Sequence, residues 1–251
     1  MSNTPVNKQT LSNYINFPQT NKFLEDNLKD RKTEFVSNLL ALADNDKNIA
    51  ACEPKDLVMV AMNATALNLP LNKNLGFAYV VAYGGKPSFQ IGYKGLTQLA
   101  IRTEKYKILN SCEVREGEIE RNKFTGEIKF IKECPENKII GYLAYLKLIS
   151  GFTASVYMTE AQIEAHALKY SKAYQYDVKH NKKSSLWSDP DERIKMALKT
   201  VLKKLLSTSG ILTTELITAF ASDSNHESHS EPIQEAQIVP QTDGYDKKLK
   251  I

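Results

Sequence analysis

One stretch of the chain, residues 70–102, constrains the fold more than any other. Residues 77–83 read FAYVVAY, a composition typical of a β-strand. Gly84 and Gly85 follow, and two glycines between strand-like runs predict a tight hairpin turn. Residues 88–93 then return as a second strand, and a helix begins at Lys94. The stretch therefore predicts a β-hairpin that leads directly into a helix.

Side chains of these elements fall on distinct faces. Successive side chains of a strand point to opposite sides of the sheet, so one face of the first strand carries Phe77, Tyr79, Val81 and Tyr83. Helical spacing gives the following helix an apolar stripe, with Arg102 off it, made of Leu96, Leu99 and Ala100. Aromatic residues in a strand either pack a sheet or present flat rings to a ligand, and both interpretations stay open at this point.

The flanking segments predict a mixture of helices and antiparallel strands. Helical spacing of apolar residues begins near Arg31, and a second helix begins at Pro54, a favourable first-turn residue. Thr159 and Gln162 form a capping box at the start of a later helix. Strand-like runs occupy residues 107–115, 124–132, 139–148 and 152–158. We therefore expect an α+β fold, in which a curved, mostly antiparallel sheet with hairpins is flanked by helices.

Asp189 and Pro190, followed by two acids, are a strong signal for a helix start. The helix is expected to end near Ser207 and to bury four apolar side chains: Ile194, Leu198, Val201 and Leu205. Arg193 and Lys204 lie on one flank of this helix. A row of lysines lies on the other: Lys195, Lys199 and Lys203. Such a row is most often a solvated face, so it does not identify a site by itself.

Residues 170–187 read YSKAYQYDVKHNKKSSLW and combine many cations with aromatic rings. They show no helical stripe, so we expect a loop. A loop of this length without structure of its own is uncommon unless it is functional or disordered. Its Lys172 and Trp187 are candidates for contact with a ligand.

Charge and composition divide the chain into three parts. The net charge is +4, but residues 221–251 contain six acids and three lysines, so the remaining 220 residues carry +7. Residues 1–30 are expected to be a short helix or an arm that contacts a neighbouring subunit, or else a frayed terminus. Residues 31–221 form the core, whose last helix begins at Thr213 or Thr214. The acidic tail, residues 222–251, is rich in Ser, Glu, Gln and Pro, which predicts disorder.

Motifs for several kinds of chemistry are absent. The GGKP sequence at residues 84–87 lacks the spacing of a P-loop, so we expect no nucleotide cofactor. The three cysteines have no CxxC spacing, which gives no support for a zinc site. No membrane-spanning run or signal peptide is found, and we expect a cytoplasmic protein. Asp189, Asp191 and Glu192 are close in sequence, as nuclease carboxylates would be, but helix capping accounts for them.

Binding of single-stranded nucleic acid requires cations for the phosphates and flat rings for the bases. The hairpin, residues 170–187 and the lysine row supply both. Each segment alone has a plainer explanation, namely sheet packing or a solvated face, and taken singly that explanation is the commoner one. Their combination in one modestly basic chain favours a polyanionic partner.

Together these segments resemble the RecT family of phage single-strand annealing proteins. The matching residues are LPL at 69–71, GFAYVV at 76–81, QIGYKGL at 90–96, LA at 99–100 with Arg102, VREG at 114–117, and Trp187 followed by MALKT at 196–200. The resemblance covers roughly residues 35–206. The GYKG segment and the Trp187 to MALKT segment, in this order, make it specific.

The resemblance implies an ATP-independent protein that coats single-stranded DNA and pairs it with a complementary strand during phage homologous recombination. It implies a homo-oligomer, as a ring or a helical filament, that holds the annealed duplex. It also implies a phage 5′-to-3′ exonuclease as a partner, in a bacterial host cell. The host single-strand-binding protein is a further candidate partner for the tail, although a plain solubilising tail is an equal alternative.

Carried onto this sequence, the resemblance makes eleven residues candidate DNA contacts: Phe77, Tyr79, Gln90, Tyr93, Lys94, Arg102, Lys172, Trp187, Arg193, Lys199 and Lys203. Three positions depart from the family pattern. Ala82 stands where many relatives have proline, and Lys203 and Lys204 stand where many have arginine. A lysine neutralises a phosphate as a point charge, without the two-pronged geometry of arginine.

Three other functions stay open. The protein could be a simple single-stranded DNA-binding protein without annealing activity, a metal-dependent nuclease, or a structural filament protein. Acceleration of duplex formation, cleavage in the presence of Mg²⁺ or Mn²⁺, and assembly without DNA distinguish these functions from one another.

Overall fold

The structure, a computed structural model, describes residues 10–224. Helices make up the first part of the chain: α1 (Leu11–Asn16), α2 (Pro18–Leu28), α3 (Lys32–Asp44), α4 (Lys47–Ala50) and α5 (Pro54–Ala66), with a 3-10 turn at Lys29–Arg31. Pro18 and Pro54 each open a helix, because the first turn does not need the N–H that proline lacks. Helix α5 begins at Pro54, as predicted, and ends at Ala66.

Strands and helices follow in the rest of the chain. The strands are β1 (Ala78–Tyr83), β2 (Lys86–Ile91), β3 (Tyr106–Arg115), β4 (Ile119–Arg121), β5 (Ile128–Phe130), β6 (Ile139–Leu148) and β7 (Thr153–Thr159). The helices are α6 (Tyr93–Ile101), α7 (Glu160–Tyr170), α8 (Lys172–His180), α9 (Pro190–Ser209) and α10 (Thr214–Ser224). The predicted bounds of β6 and the capping box formed by Thr159 and Gln162 are confirmed.

Within residues 10–224 every strand pair is antiparallel, and the strands form three separate sheets. Strands β1 and β2 form a hairpin, β4 and β5 form a second one, and β6 lies between β3 and β7 in a three-stranded sheet. Helices α5 and α10 pack against β2, while α7 and α9 pack against the three-stranded sheet. The predicted α+β fold with antiparallel sheets and flanking helices is confirmed, and its strands are divided among three sheets.

The N-terminal helices build a core of their own beneath the first hairpin. Ile15, Leu24 and Leu28 are at most 4% exposed and pack with side chains of α3 and α5 and with Val80 of β1. Residues 11–28 of the expected N-terminal arm therefore form two helices that contribute to a core within the same chain.

Helix α9 connects the remaining two cores. Leu202 and Leu206 pack with the first hairpin and α6. A second buried face of α9 packs against β6, β7 and α7 through Ala197, Val201 and Leu205. Ile194 and Leu198, which were predicted in the core, are only partly buried. Because α9 has buried faces toward both neighbours, its position fixes the first hairpin relative to the three-stranded sheet.

The loop predicted over residues 170–187 is partly wrong, because Lys172–His180 form α8. Ser171 caps this helix by accepting a hydrogen bond from the N–H of Tyr174 at 3.2 Å. The helix has no aliphatic stripe, since its most buried residue is Asp177, at 1% exposure. Because a carboxylate occupies the buried face, the spacing of apolar residues does not reveal this helix.

Two further elements differ from the prediction by more than two residues at one end. Within residues 124–132 only Ile128–Phe130 form a strand, which pairs with β4. Helix α10 continues three residues past the predicted end at Ala221, and the rest of the predicted tail, residues 225–251, lies outside the described residues. Over residues 10–224, no helix has the length and the apolar character needed to cross a bilayer.

Candidate nucleic-acid interface

The outer face of the first hairpin carries the predicted aromatic side chains. In β1 the side chains of Ala78 and Val80 are buried, whereas Tyr79, on the opposite face, is half-buried. Tyr79 lies directly across from Gln90 of β2, and Gln90 Nε2 donates a hydrogen bond to the Tyr83 hydroxyl at 2.9 Å. A surface of aromatic rings and an amide therefore faces away from the hairpin's core.

Two glycines allow α6 to pack directly on the chain that enters the hairpin. A Cβ atom at Gly92 would lie 2.1 Å from the carbonyl oxygen of Gly76, and one at Gly95 would lie 2.1 Å from that of Phe77. No side chain fits against backbone at such distances. The GYKG sequence thereby fixes Tyr93 and Lys94, which lie between the two glycines, close to Phe77.

A shallow hollow of about 220 Å³ opens at this point. Its lining consists of Phe77, Tyr93, Lys94, Thr97 and Gln98. Lys94 is exposed, while Phe77 and Tyr93 are half-buried. Two aromatic rings beside an ammonium group are the kinds of side chain that a base and a neighbouring phosphate require.

The first turns of α9 lie near the outer face of the hairpin. Burial raises the pKa of the Tyr79 phenol, the Glu192 carboxylate raises it further, and the Lys195 ammonium group opposes this. Lys195 is exposed and its Nζ lies 2.6 Å from Oε1 of Glu192. The beginning of the lysine row therefore acts electrostatically on Tyr79 of the hairpin.

The next two lysines of the row share one buried carboxylate. Nζ of Lys199 lies 3.1 Å from Oδ1 of Asp223, and Nζ of Lys203 lies 2.8 Å from Oδ2. The Asp223 side chain is 4% exposed, and the two lysine side chains are 15% and 18% exposed. Although burial favours the neutral acid, the two ammonium groups hold the pKa of Asp223 below its ordinary value.

Arg102 is bound to the protein's own backbone. Its Nη1 and Nη2 donate hydrogen bonds to the carbonyl oxygens of Leu67 and Asn68, each at 2.8 Å. Carbonyl groups at the end of a helix lack partners within the helix, so Arg102 joins the end of α6 to the end of α5.

Arg193 and Trp187 lie in one packed cluster between α7 and α9. Arg193 Nη2 lies 2.6 Å from Glu160 and 2.8 Å from Glu164, and its guanidinium lies over the Trp187 ring at 5.9 Å. Although burial opposes its charge, these carboxylates keep the pKa of Arg193 above its ordinary value. Burial, together with Glu160, raises the pKa of Tyr142 to about 12. Trp187 is only 6% exposed, so its ring belongs to the core.

The segment after α8 is folded around Asp177. Its carboxylate accepts hydrogen bonds from the N–H groups of Ser184 and Ser185 and from the hydroxyls of Ser184 and Ser188, at 2.6 to 2.8 Å. Led by those from Ser184 and Ser188, these hydrogen bonds hold the pKa of Asp177 far below its ordinary value. The exposed cations at residues 182–183 are thereby attached to a defined loop.

The eleven candidate residues fall into groups with different surroundings. Five lie on the first hairpin and the first turn of α6: Phe77, Tyr79, Gln90, Tyr93 and Lys94. Lys199 and Lys203 are joined to the end of this hairpin through Asp223. Lys172 is exposed at the first position of α8. The structure thus brings the first two groups together, while Arg102, Trp187 and Arg193 connect elements of the fold.

Asp223 is absent from the candidates because composition assigns it to the acidic tail. The apolar positions Leu216 and Ala219 are both buried, and Asp223 continues their spacing on the same helical face. Helical periodicity that runs past Ala221 is the signal that identifies it. A charged residue on a buried face indicates a partner of opposite charge.

The acids at the start of α9 serve the helix itself. Asp189 Oδ1 accepts hydrogen bonds from the N–H groups of Asp191 and Glu192, each at 3.0 Å. Within the part of the chain that the structure describes, no three His, Cys, Asp or Glu side chains are grouped so that they could hold a metal ion.

Known proteins give an independent comparison. Residues 33–240 match the model of the RecT family. The chain is 40% identical over 218 residues to the uncharacterized protein YqaK of Bacillus subtilis (strain 168), covering 85% of this chain and 72% of YqaK. It is 31% identical over 124 residues to the protein RecT of Escherichia coli (strain K12), covering 45% of this chain and 46% of RecT. Since the family model spans most of the chain, the resemblance seen in the sequence is confirmed: the chain belongs to the RecT family.

Proposed function

We propose that this protein is an ATP-independent single-strand annealing protein that pairs complementary DNA strands during phage homologous recombination. Membership of the RecT family supports single-strand annealing recombination in general, together with single-stranded DNA binding and oligomerisation. The finer proposal rests on the hollow beside α6, where two aromatic rings lie next to the ammonium group of Lys94.

The proposed DNA groove has two walls. The first is the outer face of the hairpin with the start of α6, and the second is the lysine row of α9. One strand is held mainly through its phosphates, so that its bases stay accessible to a second strand. Phosphate contacts carry no sequence information; specificity therefore comes from base pairing between the two strands.

The side chains have different roles in this groove. Lys94 binds a phosphate, and the rings of Phe77 and Tyr93 stack on bases. Tyr79 and Gln90 contact the strand farther along the hairpin. Lys199 and Lys203 supply positive charge from the second wall, and Lys172 extends it.

Three of the candidate residues are proposed to support the groove without contacting the DNA. Arg102 holds α6 against α5, and Arg193 with Trp187 holds the start of α9 against α7. Their engagement with carbonyl and carboxylate oxygens supports a role in shaping the groove.

Pairing of complementary strands is downhill, so the proposed reaction needs no nucleotide hydrolysis and no catalytic residue. The protein is proposed to form a ring or a helical filament on DNA, in the cytoplasm of a bacterial host. A phage 5′-to-3′ exonuclease would supply the single strand, and the host single-strand-binding protein is a further proposed partner.

A strand-mixing experiment tests the proposal. One labelled strand is incubated with the protein, its complement is added without ATP, and duplex formation is followed by fluorescence. We expect duplex to form faster than without protein, and more slowly with Lys94→Ala than with Lys22→Ala, a control on α2. Binding of each strand with no acceleration would indicate a simple binding protein. Shortened DNA in Mg²⁺ or Mn²⁺ would indicate a nuclease, and filaments formed without DNA a structural protein.

A further inference from the structure

We propose that Asp223 is a positioning residue for DNA binding, an internal counter-ion that holds two lysines of α9 in place against the end of the first hairpin. The proposal rests on the function proposed above, because it concerns how the same groove is built. Asp223 itself is too deeply buried to contact DNA, with 4% of its side chain exposed.

Strand β2 meets the two helices α9 and α10, which are distant from it in sequence, at this carboxylate. Oδ1 accepts a hydrogen bond from the N–H of Ile91, the last residue of β2, at 3.1 Å. The same carboxylate binds Lys199 and Lys203 of α9, and Asp223 itself belongs to α10. Asp223 therefore bridges the hairpin wall and the lysine wall of the proposed groove.

The charges at this point require a counter-ion. Lys199 and Lys203 are one helical turn apart, so their ammonium groups repel each other. Both side chains are less than a fifth exposed, so water screens this repulsion only in part. One carboxylate between them offsets the repulsion and leaves the cluster with a net charge of +1. The two lysines are thereby held adjacent to each other.

A different role for Asp223 would be to compete with DNA for the lysines, as an internal substitute for phosphate. The burial and the bond to Ile91 argue against it. A phosphate that displaced Asp223 would leave the Ile91 N–H without its acceptor, and an unpaired buried amide is costly. The two roles predict opposite signs: removal of a competitor strengthens DNA binding, whereas removal of a positioning residue weakens it.

The test compares Asp223→Asn with Asp191→Asn, which makes the same change of charge at an exposed site on α9. Affinity for a labelled single strand is measured by fluorescence anisotropy over a range of salt concentrations. We expect Asp223→Asn to weaken binding about tenfold, as removal of a charge-assisted hydrogen bond does. Its salt slope should fall by about 0.7 for each phosphate that the displaced lysines no longer neutralise. The removal of a negative charge would by itself strengthen binding to DNA, so both expected effects of Asp223→Asn have the opposite sign to the simple charge effect. Asp191→Asn, which makes the same change of charge, should bind as the wild type does or slightly more tightly.

A double-mutant cycle shows whether Asp223 acts through the lysines. In a protein that carries Lys199→Ala and Lys203→Ala, the further change Asp223→Asn should alter affinity less than twofold, because the groups it positions are gone. An equal tenfold weakening in that background would overturn the proposal. Tighter binding of the single Asp223→Asn variant would also overturn it and would identify Asp223 as a competitor.

Two controls keep the outcomes distinct. If Asp223→Asn fails to fold by circular dichroism, Asp223→Glu replaces it; this variant keeps the charge but moves the carboxylate by one methylene, and wild-type affinity in it would overturn the proposal. A wild-type protein that neither binds nor anneals single strands contradicts the proposed function itself. A wild type that anneals, with a folded Asp223→Asn variant of equal affinity and slope, contradicts only the role of Asp223.

Discussion

A Cβ atom on Gly95 would lie 2.1 Å from the carbonyl oxygen of Phe77. Helix α6 therefore packs on the backbone immediately before β1, and the absence of a side chain at Gly95 shapes the hollow formed by Phe77, Tyr93 and Lys94. The glycine that defines the site is thus a packing residue, and its replacement tests the packing without removing any proposed DNA contact.

We predict that Gly95→Ala destabilises the protein by about 1–3 kcal/mol, because the added methyl group forces α6 away from the hairpin. Alanine favours a helix more than glycine does, so helix propensity alone predicts the opposite sign. Urea denaturation measures the change. Ile101→Ala, on the same helix at a side chain that is 53% exposed, serves as the control and should change stability by less than about 0.5 kcal/mol. Equal stability of Gly95→Ala and the wild type would contradict the close packing.

Lys94→Ala is expected to weaken single-stranded DNA binding and to lower the salt slope by about 0.7, the value for one phosphate contact with a single strand. Lys94 is exposed, so its removal should leave the melting temperature close to that of the wild type. Lys22→Ala, on α2, is the matched control for charge and should bind as the wild type does. Equal salt slopes for Lys94→Ala and Lys22→Ala would show that Lys94 does not contact a phosphate.

Substitutions of Tyr93 distinguish base stacking from electrostatic attraction as sources of DNA affinity. Tyr93→Ala should weaken binding by about 1–3 kcal/mol if its ring stacks on a base, whereas Tyr93→Phe keeps the ring and should retain most of the affinity. A fluorescent base analogue in the bound strand reports the stacking directly, since its emission falls when it lies against a ring. Similar affinity of Tyr93→Ala and Tyr93→Phe would show that the ring packs only against the protein.

Asp177→Ala should release the loop that follows α8. Four hydrogen bonds from this loop end on the Asp177 carboxylate, and Trp187, the single tryptophan of the chain, lies in the same segment and is buried. We expect the tryptophan emission to shift to longer wavelength in the variant. Lys179→Ala, an exposed change on α8, should leave the emission unchanged. Wild-type emission from Asp177→Ala would show that the loop is held by other contacts.

The same loop should respond to acid. The pKa of Asp177 in the folded protein lies far below its ordinary value of 3.8, so the charged carboxylate contributes stability above that value. This contribution is lost as the pH falls through the lower, folded pKa. Tryptophan emission should therefore stay constant from about pH 7 to pH 5 and shift only below about pH 4. Asp177→Asn should lack this acid step, and a step near neutral pH in the wild type would contradict the assignment.

Helices and strands with a regular pattern of apolar residues could be predicted from the sequence, whereas an element whose buried face is polar could not. Strand β6 has the predicted bounds, Ile139–Leu148, because a long apolar run admits few alternatives. Helix α8 was expected to be a loop because its buried side is formed by Tyr174 and Asp177, with hydrogen bonds in place of aliphatic contacts. Within residues 1–30 only a short helix or an arm was expected, whereas the structure has two helices. Each buries so few side chains that neither shows a clear period by itself.

The candidate site was predictable where a contact is local. The hairpin, the GYKG turn and the start of α6 are contiguous, so the proximity of Phe77, Tyr93 and Lys94 follows from the order of the elements. The link between Ile91, Lys199 and Asp223 joins the hairpin to two helices that follow it by about 100 residues or more, and only the packing of α9 and α10 reveals it. Arg102 and Arg193 are cations in the sequence, but the fold determines that carbonyl or carboxylate oxygens of the protein surround them.

The first wall of the proposed groove belongs to a two-stranded sheet, and the second is helix α9, which packs against both that hairpin and the three-stranded sheet. Among the described strands, the ladder of β1 and β2 is not continuous with that of β3, β6 and β7. The separation of the walls therefore depends on no ladder hydrogen bond. It is set by the buried contacts of α9 and by the hydrogen bonds of Asp223 to Ile91, Lys199 and Lys203. Groove width is consequently a property of side-chain packing in this fold, and substitutions within those contacts can alter it while both sheets stay intact.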